Sequence, residues 1–309
     1  MNQQNSKYLM LIRPRSFSSN EETLDSNGFQ NQFEEKSSLS SLRAAVDSEF
    51  TNMISVLSDH EIDHVVFEDI VDLGSPDAIF PNNWVTFHDD GTVVLYPMMS
   101  LKRRKERRHD IIESLASFGF SVDKIIDISN LENTEHYLEG TGSMILDRGN
   151  KKAYACLSPR TTSEALTIFS EVMDYEIIKF SSTTDIPIYH TNVMMSLGED
   201  TALVCFDVIK ERELSLKLRS DLTQSGRTVI DLSVNQMNNF LGNALEVQNK
   251  KDEKLLLMSK AAHDSLTSEQ LAKLSERLRV IYFSIPTIEK YGGGSVRCML
   301  AEIFLKKDK

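Results

Sequence analysis

Cysteine is scarce in this protein: three thiols, Cys156, Cys205 and Cys298, in 309 residues. An odd number with no short spacing supplies neither a disulfide framework nor a zinc ribbon, and fits a reducing compartment. Long apolar runs are missing too. None approaches the ~20 residues that span a bilayer, and the polar N-terminal residues lack the charged-then-apolar order of a secretory leader. The expectation is a cytoplasmic protein with no membrane role. Positive charge is in deficit, 34 Lys and Arg against 46 Asp and Glu, for a net charge of −12. Such a surface repels phosphate backbones and argues against nucleic acid as a partner. The one basic patch, residues 102–108, has no interleaved aromatics and continues into an amphipathic pattern, which predicts a solvated helix face. No Pro/Ser-rich stretch or shift of composition divides the sequence, so residues 1–309 read as one domain.

What is present is a recurring unit. Residues 83–96, 142–157 and 192–206 each read as strand, turn, strand, with Gly- or Asp-bearing turns at 89–91, 148–150 and 198–200. A charged helical stretch follows each hairpin, at 101–118, 162–174 and 210–225, and then a brief apolar strand at 124–128, 176–180 and 228–232. Residues 243–258 with a helix at 268–278 form a less regular fourth unit. The fifth combines 280–283 and the strand 295–305 with an N-terminal strand and a helix at 40–57. A period of roughly fifty residues marks a repeat architecture, whose units need mutual burial, and a closed ring supplies it.

Four of the five hairpin starts carry chemistry. Gly292-Gly293-Gly294-Ser295-Val296-Arg297-Cys298 is a glycine loop that can deliver a thiol against a ligand, which makes Cys298 the first nucleophile candidate. The others are Phe80-Pro81-Asn82-Asn83-Trp84, Leu138-Glu139-Gly140-Thr141-Gly142 and Tyr189-His190-Thr191-Asn192. Amides, a carboxylate, an imidazole and a thiol form the set that nucleophilic attack on a carbon flanked by nitrogens requires. Cys156 and Cys205 sit inside strand patterns and read as structural, and the remaining histidines lack partners at metal-ligand spacing.

The order Glu-Gly, His-x-Asn, Gly-Gly-Gly-Ser-x-Arg-Cys-Met, with Phe-Pro-Asn-Asn-Trp upstream, resembles the guanidine-modifying enzymes of the pentein superfamily. The likeness is greatest to the citrulline-utilisation hydrolases, or citrulline ureidases, and spans nearly the whole sequence. It implies an α/β fold, a five-bladed pentein propeller with pseudo-fivefold symmetry. It also carries the nucleophile onto Cys298, the general acid/base onto His190 and the substrate-orienting carboxylate onto Glu139, with no metal or cofactor.

Two departures matter. Deiminases of the superfamily place aspartates where this protein has Asn83 and Asn192. Exchanging both for amides removes two negative charges but leaves donors and acceptors, which suits a neutral ureido group better than a guanidinium cation. The expected reaction is hydrolysis of citrulline to ornithine, carbon dioxide and ammonia. Deimination of arginine or a substituted arginine, amidino transfer, and a non-catalytic binding module are the alternatives. For the amino-acid end of the substrate, a forked guanidinium is needed. Arg13 is preferred among Arg13, Arg15, Arg148, Arg160 and Arg297, with Arg297 also able to tune the nucleophile. Phe80 and Gly294 complete the substrate-binding set, together with Trp84, which either walls the pocket or packs beneath its hairpin. Residues around Asn27-Gly28-Phe29-Gln30 read as a lid. The partner is thus a small amino acid, and a homo-oligomer stays open.

Overall fold

A computed structural model describes residues 3–33, 38–184 and 188–308. Tyr8–Arg13 (β1) is apolar and buried along its centre, as a strand covered on both faces requires. It leads through a long segment to Leu39–Asp59 (α1), whose buried Leu42, Val46, Phe50, Met53 and Leu57 recur at intervals of three and four and form one stripe. Each such side chain taken from water contributes roughly 1.5–3 kcal/mol. The backbone then returns in Asp63–Glu68 (β2), parallel to β1 with Tyr8 opposite Asp63.

That logic recurs. Val85–Phe87 (β3) and Thr92–Leu95 (β4) form an antiparallel hairpin, and Lys124–Asp127 (β5) lies parallel to β4. Ile145–Asp147 (β6), Lys152–Cys156 (β7) and Glu176–Phe180 (β8) repeat it, with Ser163–Met173 (α2) as the crossover. Met195–Leu197 (β9), Thr201–Val204 (β10) and Thr228–Asp231 (β11) do so with Arg212–Gln224 (α3). Leu245–Gln248 (β12), Lys254–Ser259 (β13) and Arg279–Phe283 (β14) follow, with Ser268–Ser275 (α4) between the last two. Ala301–Ile303 (β15) pairs antiparallel with β1 and completes the first sheet from the far end of the sequence. The described residues thus form five three-stranded sheets in a mixed α/β fold. The first strands of the sheets approach one another, β15 with β3, β6 with β9, and β9 with β12. A parallel bridge from Ser6 to Val247 ties the N-terminal segment to β12.

Two expectations need correction. The strand at 280–283 finishes the fourth repeat as β14, not the fifth; the fifth ends in β2, where only Val65 is buried and the apolar signal is correspondingly weak. The single helix expected over 101–118 is broken into Leu101–Arg104, His109–Ser114 and a 3-10 turn at Leu115–Phe118. Arg103 and Glu106 turn inward at the break as a buried ion pair. No helix among the described residues is long and apolar enough to cross a membrane.

Candidate active site

A single helical turn precedes the first strand of four sheets: Pro81–Asn83 before β3, Gly140–Ser143 before β6, Thr191–Val193 before β9 and Val296–Met299 before β15. The fifth, before β12, is a tight turn closed by the Asn243 N–H donating to the Phe240 carbonyl across 2.8 Å. The turns pack on one another, Pro81–Asn83 with Gly140–Ser143 and Val296–Met299, and Gly140–Ser143 with Thr191–Val193, so residues at their starts meet. Asp77, Phe80, Asn83, Arg103, Arg160, His190, Gly294 and Cys298 border a narrow chamber there.

Glu139 and His190 are both buried, and His190 Nε2 lies 2.8 Å from Glu139 Oε2. Burial alone would raise the Glu139 pKa, but the hydrogen bond from His190 and the charges of Arg160, His190 and Arg103 hold it at about 2. Burial pushes His190 the other way, down to about 4 despite the adjacent carboxylate. At neutral pH the pair is therefore a carboxylate and a neutral imidazole. A carboxylate only accepts, so Nε2 carries the proton and Nδ1 keeps its lone pair. Gly142 leaves the room this requires, since a Cβ there would stand 2.7 Å from His190 Nδ1 and 2.4 Å from Asn83 Nδ2.

Cys298 borders the same chamber, and its sulfur receives two amides, Asn243 Nδ2 at 3.2 Å and Asn192 Nδ2 at 3.4 Å. The oxygen of the second amide, Asn192 Oδ1, is buried without a partner. By contrast Cys156 and Cys205 are sealed in the core, where burial drives their thiols up to about 12 and about 11.

The sequence profile of one family, N,N dimethylarginine dimethylhydrolase, eukaryotic, matches residues 13–305. The protein belongs to that family. Its place in the pentein superfamily of guanidine-modifying enzymes agrees with the motifs. No curated protein matches by sequence. Among solved structures, apo ArgZ, an arginine dihydrolase from the ornithine-ammonia cycle in cyanobacteria, is 15% identical over 97% of the present sequence, with a TM-score of 0.73. The match spans 41% of that longer protein. The N-terminal domain of ArgZ, as a Cys-to-Ser mutant bound to substrate, is matched over 99% of its length and 96% of the present sequence, with 14% identity and a TM-score of 0.73. A dimethylarginine dimethylaminohydrolase bearing a His-to-Gly change, an adduct with S-methyl-L-thiocitrulline, is 14% identical with a TM-score of 0.67, over 98% of the present sequence and 100% of its own. These likenesses establish a shared fold.

Within this member of the dimethylarginine dimethylhydrolase family, several predicted positions fall elsewhere. Arg13 pairs with Asp47 at 2.7 Å and with Glu68 at 3.5 Å, lies over the Phe50 ring, and is absent from the chamber wall. The helix α1, which packs its apolar stripe against β1, supplies that aspartate. Arg297 stands beside Cys298 in sequence, yet its guanidinium turns away to the Leu300 carbonyl and Glu302, both at 2.8 Å. Trp84 is fully buried beneath its hairpin with Val85, Phe87 and Val93, and does not wall the chamber. Arg15 and Arg148 are also outside, on Glu68 and over the Phe304 ring respectively.

The cations that do border it are Arg160, one of the candidates, and Arg103, hidden in a basic run that reads as solvated surface. Arg103 Nη1 donates to Asn83 Oδ1 at 2.9 Å, while Asn83 Nδ2 donates to Asn82 Oδ1 at 2.9 Å. Behind it, both Glu106 oxygens accept from Arg103, at 3.0 and 2.9 Å, while burial pushes the carboxyl upward. Asp77 is buried, pairs with Arg103 at 3.6 Å, and has an unpartnered Oδ1. Nothing in the sequence marks Asp77; Asn243 could have been found by aligning all five hairpin starts.

The predicted lid segment lies over this group. Arg160 donates to Ser26 Oγ at 2.8 Å and to the Thr23 carbonyl at 3.3 Å. Asn27 Nδ2 donates to the Gly293 carbonyl at 3.2 Å, and the Tyr189 hydroxyl donates to the same oxygen. Gly293 has φ +64°, and a Cβ there would strike Asn27 Nδ2 at 2.5 Å, so only glycine fits beneath the segment.

Proposed function

We propose that the protein is a cysteine hydrolase that cleaves the ureido C–N bond of citrulline, releasing ornithine, carbon dioxide and ammonia, in a one-domain propeller closed by its five sheets. The observation that carries this reading is the Asn192 amide beside the sulfur. Asn192 offers one donor to Cys298 and leaves its oxygen unpaired, suited to an N–H of an uncharged ureido head. Charged side chains oppose one another around it, Arg103 and Arg160 against Asp77 and Glu139, while Glu106 is spent on Arg103. A guanidinium would find little unspent negative charge there, and burying a cation without it is costly. Arg103 and Arg160 suit the substrate carboxylate, and the free Asp77 Oδ1 its ammonium group.

In the proposed reaction the Cys298 thiol gives its proton to His190 Nδ1 and the sulfur adds to the ureido carbon. The imidazolium, steadied by Glu139, passes that proton to the departing nitrogen, and ornithine leaves. An S-carbamoyl group remains on Cys298. Water, deprotonated by the same nitrogen, releases it as carbamate, which falls apart into carbon dioxide and ammonia.

A second reading has arginine hydrolysed twice, two waters giving ornithine, carbon dioxide and two ammonia; the naming of ArgZ as an arginine dihydrolase favours it. Incubating the purified protein with each amino acid and quantifying ornithine, ammonia and citrulline separates them. One ammonia per ornithine from citrulline supports the first reading. Citrulline accumulating from arginine, with no ornithine made from citrulline, would overturn it.

A further inference from the structure

We infer that Asn243, on the turn before β12, holds the ionised sulfur of Cys298 during attack. This inference deepens the hydrolase reading and rests on it for the identity of the nucleophile. Asn243 is fully buried, and its amide has three partners: Nδ2 reaches Cys298 Sγ at 3.2 Å and the Asn192 carbonyl at 3.0 Å, and Oδ1 accepts from the Arg297 N–H at 3.0 Å. The contacts fix which end of the amide faces the sulfur. A backbone N–H only donates and a carbonyl only accepts, so Oδ1 must lie toward Arg297 and the two N–H bonds toward Asn192 and Cys298. The donor is thereby aimed before any substrate arrives.

The sulfur needs such a donor. In many thiol enzymes a resting imidazolium stabilises the thiolate, but here burial holds His190 near 4, so it is neutral before attack and gains its proton only from the thiol. The hydrogen bond of His190 goes to Glu139, and Arg297, the adjacent cation, is spent on Glu302. Among the described residues, the side chains that donate to Sγ are both amides, Asn192 and Asn243. A hydrogen bond to an ionised acceptor is about twice as strong as one to a neutral acceptor, so both bonds strengthen as the sulfur gains charge in the attack. Asn192 keeps an unpartnered oxygen, whereas both polar atoms of the Asn243 amide are committed within the protein.

The test is the pH profile of Cys298 alkylation by iodoacetamide in the substrate-free protein, followed by mass spectrometry of the Cys298 peptide. In N243A, alkylation at neutral pH should slow about tenfold or more and recover toward the unmodified protein's rate in alkali. The kcat for citrulline should fall in parallel, with KM within about twofold. If N243A does not fold, N243L, which keeps the volume without the donors, gives the same readout. A purely structural brace would lower the melting temperature but leave the pH profile unmoved, and superimposable profiles would overturn the inference. Alkylation needs no substrate, so a protein inactive on both citrulline and arginine would sink the hydrolase reading while still deciding the role of Asn243.

Discussion

His190 Nε2 and Glu139 Oε2 lie 2.8 Å apart with both side chains buried and the proton on the imidazole. This contact decides which ring nitrogen is left to work. Glu139→Gln keeps an acceptor but loses the charge that steadies an imidazolium. The kcat for citrulline should fall about a hundredfold or more, with a smaller change in KM, as steady-state kinetics would show. An unchanged kcat would remove the acid/base role from this pair.

Acid should destabilise the fold through the same histidine. Its folded value is depressed, from 6.5 to about 4, so between those limits the unfolded state binds the extra proton and stability falls as pH falls. Glu139, held at about 2, stays ionised through that window. Urea midpoints measured across it should drop in the unmodified protein, and His190→Gln should flatten the drop. Parallel curves would mean His190 titrates normally.

Arg160→Ala and Arg13→Ala should part company. Arg160 borders the chamber and ties down Ser26 and Thr23, so its loss should raise KM about tenfold or more, the scale of hydrogen bonds to charged groups. Arg13 lies in partly exposed pairs with Asp47 and Glu68, and its loss should leave KM within about twofold and cost roughly 1 kcal/mol or less in stability. Equal effects on KM would restore Arg13 to the site.

Cys298→Ala should bind citrulline without turning it over. The expected result is a melting temperature that rises with citrulline concentration, and no ammonia release. Residual turnover at the unmodified rate would exclude the thiol as nucleophile.

Much of this architecture is written in local pattern. The hairpins β3–β4, β6–β7 and β9–β10 announce themselves because alternating apolar runs flank Gly- and Asp-bearing turns, and the chemistry-bearing residues stand at the start of each hairpin. The strand β2 is hidden because a lone buried valine gives little periodicity. Arg103 escapes for a different reason: it sits in a run of seven charged residues, and no local rule tells which member is drawn inward by Asp77, Glu106 and Asn83 from the surrounding fold. Arg13 misleads because nearness to a strand end says nothing of direction, and α1 supplies a counterion. Asn243 and Asp77 are defined only by what surrounds them in space.

The pairing of β15 with β1 has a biosynthetic consequence. Ala301–Ile303 follow the nucleophile almost at once, yet their partner strand is among the first of these residues translated. A nascent polypeptide can assemble four sheets while it is still tethered to the ribosome, but its thiol stays unanchored until β15 clears the exit tunnel.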